Sequence, residues 1–212
     1  MYAFLLLALP ALIIRYCFTD RTFSSKQFIP PVLTGLFLGI FLCMAREFFF
    51  VSSSLTVNSL PVYFFNDMLS YSVLPSAAVL LIFNLISRDR AEYKAASVFP
   101  LEASFYAVLL PFTVISSDEK TSFFLNIILP VLTAAALFAQ SAFVTLSAKN
   151  ALKKSTSVIL KAAAVLVPAV IPFVKQIWFF GGSIILYLAC TVIVTVLSLL
   201  LFAFAQKERA DS

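Results

Sequence analysis

The sequence predicts an all-α, polytopic integral membrane protein, a bundle of seven transmembrane helices with its N-terminus outside and its C-terminus in the cytoplasm. Three observations predict it. The 212 residues are 62% hydrophobic and 12% charged, with a mean hydropathy of +1.03, whereas soluble domains are about half apolar and about a quarter charged. The apolar residues gather into runs near the ~20 residues needed to cross hydrocarbon. Basic residues then alternate from one set of connections to the other, as positive-inside orientation requires.

The first run, residues 2–18, lacks the basic leader and small-residue cleavage site of a signal peptide, so it reads as a retained span. Six more follow at about 31–51, 69–87, 98–116, 122–148, 157–173 and 183–205. A single helix over 157–205 would be ~74 Å long, more than twice the hydrocarbon thickness. Pro168, Pro172 and the pair Gly181-Gly182 supply the break. The whole chain reads as one transmembrane domain.

Charge in the connections supports the count. Arg15, Arg21 and Lys26 follow the first run; Arg88, Arg90 and Lys94 follow the third; Lys149, Lys153 and Lys154 follow the fifth; Lys207 and Arg209 close the tail. Those eleven fall on one side under a seven-span count, and only Lys120 and Lys175 fall on the other. The membrane implied is the plasma membrane, crossed many times. The connection over 52–68 is the longest, and its "PVYFF" suits an interfacial or re-entrant segment.

Glycine occurs four times, and two of the four are Gly35 and Gly39 on the second run. This GxxxG spacing lets another helix approach closely, and Cys43 extends the small-residue stripe. At 3.6 residues per turn, Arg46 lies about 20° from Gly35, with Glu47 about 120° away at the margin of that face. The stripe therefore aims Arg46 inward, with Asp67 or Glu47 of a second copy as its expected partner, because a buried guanidinium needs one.

Glu102 and Lys161 form a second expected pair, each about four residues inside the cytoplasmic end of its run. Arg46, Glu47, Asp67, Glu102 and Lys161 are thus the candidate solute-binding or ion-pairing residues. Gly35, Gly39 and Cys43 are the candidate helix-packing or partner face. Among the uncharged polar residues at depth, Asn84, Asn126, Thr133, Gln140, Ser141 and Thr145 read mostly as interhelical hydrogen bonders, with the fifth run central. The proline pair Pro168/Pro172 is the best candidate for a kink that serves a ligand.

Several functions are disfavoured. The chain has no histidine, which removes the commonest general base and metal ligand. It shows no phosphate-cradling glycine loop and no metalloprotease motif. The three cysteines lie apart in apolar runs, as packing residues do. The expectation is therefore no enzyme, no metal, no cofactor and no nucleic acid. Two readings remain. The first is a small-solute transport component or substrate-binding membrane subunit of a transporter. The second is a non-enzymatic scaffold or assembly subunit of a membrane or cell-envelope complex. The expected partners are the lipid bilayer, another membrane protein or a second copy through the second run, and a cytoplasmic partner at the basic loops.

Overall fold

A computed structural model describes residues 15–16, 24–49, 73–86, 91–115, 127–148, 154–179 and 184–210. Among these, every element is helical and no strand occurs. A 3-10 turn, Ser25–Phe28, leads into α1 (Ile29–Phe49). There follow α2 (Leu74–Ile86), α3 (Ala91–Ile115), α4 (Leu129–Ala148), α5 (Lys154–Leu166), a 3-10 turn Val167–Ala169, α6 (Val170–Phe179) and α7 (Ile184–Ala210).

Five stretches are long and apolar enough to cross a membrane: Lys26–Ala45, Glu92–Phe112, Leu129–Ala148, Ser155–Val174 and Ile184–Glu208. They correspond to the expected second, fourth, fifth, sixth and seventh runs. The third appears as the shorter apolar helix Leu74–Leu85. Its parent α2 has 13 residues, or ~20 Å, about two-thirds of the hydrocarbon thickness. Most of the first run, including Cys17, lies outside the described residues, as do residues 52–68 and the Gly181-Gly182 break. The described residues are thus all helical, with five candidate membrane-spanning helices, the pattern of a membrane-embedded chain.

The chain divides into two compact units, Met1–Asn58 with Ser97–Pro130, and Ser59–Ala96 with Val131–Ser212. Two of the crossings fall inside or at the head of a helix beside a proline. Pro100 sits within α3 and cannot donate to the Ala96 carbonyl, the last residue before a crossing. Pro130 directly precedes the other.

In the first unit the chain enters α1 through a local clasp. The Gln27 N–H donates to the Ser24 carbonyl at 2.8 Å, and the Ser24 N–H donates to Gln27 Oε1 at 2.9 Å. These bonds satisfy groups that a helix start otherwise leaves open. Phe28, buried beneath, meets Tyr16 edge-on at 6.2 Å. Tyr16 also packs on Phe99 of α3 at 4.6 Å.

In the second unit α4 is the central helix: 72% of its apolar window is buried, against 22% for the α5–α6 span and 17% for α7. Gln140 of α4 explains much of this unit. Pro168 has no N–H, so the Ala164 carbonyl one turn before it loses its helical partner. Gln140 Nε2 donates to that carbonyl at 3.0 Å. The same nitrogen donates to Ser76 Oγ of α2, so one fully buried amide ties three helices. The helix does not end at Pro168; it tightens into the Val167–Ala169 turn and resumes as α6.

Other polar contacts close the same unit. Lys94 Nζ donates to Asn84 Oδ1, joining the head of α3 to the end of α2. Thr145 Oγ1 donates to the Ala95 carbonyl at 3.3 Å, and Ser157 Oγ donates to the Ser147 carbonyl at 3.0 Å across the α4–α5 turn. Helix α7 packs on α6 and, through Phe202 on Phe138 at 5.0 Å, on α4. Its buried seam is Tyr187, Thr191, Ser198 and Ala205, the last three at seven-residue spacing, while large apolar side chains cover the rest.

Replacing Gln140 with Leu is expected to lower stability by about 2 kcal/mol, because it strands the Ala164 carbonyl in a dry environment. In a Pro168→Ala background, where residue 168 regains its N–H, the same change costs measurably less. Unfolding of all four proteins in mixed detergent micelles closes this double-mutant cycle; full additivity would refute the link.

Candidate functional site

The site is built on α3 within the first unit. A Cβ placed on Gly35 of α1 would overlap Ser104 Oγ and the Leu101 carbonyl. One on Gly39 would stand 2.9 Å from Val108 Cβ and 3.2 Å from the Phe105 carbonyl. The two glycines therefore let the α1 backbone lie directly against α3. Ser104 turns its hydroxyl back onto its own helix, donating to the Leu101 carbonyl at 2.8 Å, so this hydroxyl needs no partner across the seam. Cys43, one turn further, is buried and forms no disulfide among the described residues. The small-residue stripe is thus filled by the chain's own helix.

A second face of α3, roughly a quarter-turn from the glycine seam, presents Val98, Glu102, Tyr106 and Leu109. All four are buried, Glu102 to 1% exposure. Neither carboxylate oxygen of Glu102 has a hydrogen-bond partner among the described residues. Tyr106 stands one turn on, at the i+4 spacing where helical side chains meet, and its ring is edge-on to Phe105 at 5.2 Å. Phe99, one turn back, carries Tyr16 against it.

The depth of Glu102 differs from the sequence expectation. The fourth run was read as starting near residue 98, which placed Glu102 close to a helix end. Helix α3 starts at Ala91, and its apolar window runs Glu92–Phe112. Glu102 therefore lies midway along it, ~15 Å from either end, too deep for its short side chain to reach the interface.

Its expected partner, Lys161, belongs to the other unit. Lys161 is exposed on α5 and within electrostatic range of Lys94, a like charge. Neither carboxylate oxygen of Glu102 accepts a hydrogen bond from a basic group among the described residues. Arg46 and Glu47 lie on the last turns of α1; their side chains, and all of Asp67, fall outside the described residues.

The chain matches no protein-family model, no curated protein and no solved structure.

Sequence reasoning missed the setting of Glu102 among Phe99, Phe105 and Tyr106. The signal was present: residues at i−3, i+3 and i+4 of a lone mid-helix carboxylate are all aromatic. Among the described residues no group of three His, Cys, Asp or Glu side chains gathers to hold a metal ion.

Alanine at Gly35 is expected to cost about 3 kcal/mol of stability, and alanine at Gly39 about 1 kcal/mol. The first overlaps the Leu101 carbonyl outright, whereas the second stands 2.9 Å from Val108 Cβ, so a smaller displacement of the two helices relieves it. Detergent unfolding midpoints rank the two variants, and equal, negligible shifts would contradict the close seam.

Proposed function

We propose that this chain is a small-solute transport component of the plasma membrane, with its polar site on the Glu102 face of α3. One observation carries the reading: a carboxylate at mid-span, fully buried, with neither oxygen hydrogen-bonded among the described residues. A purely structural bundle gains nothing from such a group, since leaving it unsatisfied in hydrocarbon costs several kcal/mol. Intramembrane ionisable residues of this kind characteristically line pathways for ions, protons or solutes. At Pro168 the carbonyl that the proline frees accepts from Gln140, so the reading places the site on α3 rather than there.

The proposed topology is seven spans, N-terminus outside and C-terminus cytoplasmic. The five described candidate spans and the short α2 fit it, and residues 2–18 supply the seventh. The basic alternation supports the orientation. Fluorescent-protein and alkaline-phosphatase fusions at the C-terminus test it: cytoplasmic fluorescence with inactive phosphatase is expected, and the reverse would refute the count.

The scaffold reading predicts a permanently dry α3 face, whereas the transport reading predicts one that water reaches. In a background lacking Cys17, Cys43 and Cys190, single cysteines at Val98 and Leu109 are expected to react with a membrane-impermeant thiol reagent in vesicles. A cysteine at Leu197, on the exposed apolar side of α7, is expected to stay unlabelled. Labelling at neither α3 position would overturn the transport reading.

A further inference from the structure

We infer that Glu102, the polar site of the transport reading above, is an exchangeable proton site: protonated while the α3 face is closed and in exchange with water when it opens. The inference rests on that reading for its purpose and on the geometry of Glu102 for its chemistry.

Four facts lead to the proton. First, the carboxyl lies midway along the α3 span, where a bare negative charge is least tolerated. Second, no described group neutralises it: the described basic side chains of its own unit, Arg15 and Lys26, are both exposed. Third, the donor set does not suit a metal ion. Hard cations take six or more oxygen ligands, and the side chains flanking Glu102 on its helix are aromatic or aliphatic. Fourth, a proton needs no cavity, and this face is packed shut by residues that are themselves buried.

Among the described residues the titratable groups around it are few. Tyr106 stands one turn away on the same helix, and Tyr16 approaches through its contact with Phe99. On α1, packed along the neighbouring face, Cys43 is the buried titratable group, with Lys26 exposed at the helix entry. None of these is a positive charge at the carboxyl.

The step balances simply. In the closed bundle Glu102 is a neutral carboxylic acid; when water reaches it, the O–H bond breaks, the proton passes to water, and a carboxylate remains. Reclosure requires that the carboxylate take a proton back. Because closure needs the acid form in either direction, the proton exchanges with water on whichever side the bundle opens.

The test uses the full chain in phosphatidylcholine vesicles, with infrared spectra of wild type, Glu102→Gln and Glu102→Asp in light and heavy water near neutral pH. The expected result is a protonated-carboxyl band in wild type that shifts in heavy water. It should be missing from Glu102→Gln and return, displaced, in Glu102→Asp. The absence of any such band in wild type would overturn the proposal, as would one that Glu102→Gln leaves in place. A band that never shifts in heavy water would equally overturn it, because the proton would not exchange. Thiol labelling along α3 decides the transport reading by itself, so failure of one leaves the other standing.

Discussion

A carbonyl without a donor is hard to keep in a bilayer, and proline makes one wherever it enters a helix. Pro168 does this to Ala164, and the reply comes from a different helix through Gln140. That contact sets the register of α4 against α5, and the bond from the same amide to Ser76 sets α2 against both. The α5–α6 span can then bend at a buried proline without exposing its backbone. Packing of Lys154–Phe179 thus depends on a side chain that is remote in sequence, so kink and staple form one device.

The first unit is held differently. Hydrocarbon tails are as apolar as leucine, so helices in lipid do not associate to hide apolar surface. They need close approach, and Gly35 and Gly39 provide it, since a Cβ at either position would run into α3. Hydroxyls nearby turn inward onto their own helices: Ser104 to Leu101, and Thr34 to the Pro30 carbonyl at 2.8 Å. In the second unit Thr191, Thr195 and Ser147 do the same. This habit lets small polar residues sit in seams without demanding partners across them.

Much of this was legible in the sequence. Apolar length and proline placement gave the spans near 31–51, 122–148 and 183–205 to within a few residues at most of their ends. The glycine spacing marked a packed face, although what packs there is the chain's own α3. The polar string on the fifth run announced a central helix, and Gln140 and Thr145 do bond across it. The depth of Glu102 was not legible, because Glu92 and Lys94 resemble loop charges and Pro100 resembles a helix start. Both signals were overridden: Lys94 is held by Asn84, and α3 continues through Pro100 as an interior residue. Which carbonyl Gln140 would serve was equally hidden, since the link depends on a contact between residues 24 positions apart.

The long α7 has a consequence of its own. Its candidate span, Ile184–Glu208, covers 25 residues, or ~37 Å of helix against ~30 Å of hydrocarbon. A helix with that surplus leans, or carries its last turn into the headgroup layer. The final turns contain Gln206, Lys207 and Glu208, groups at home among lipid headgroups. A thinner bilayer would increase the lean and pull on the Tyr187–Ala205 seam, and a thicker one would let α7 stand upright. The chain is therefore sensitive to membrane thickness through its last helix, and the composition of the surrounding lipid becomes a variable in how tightly that helix holds to α4.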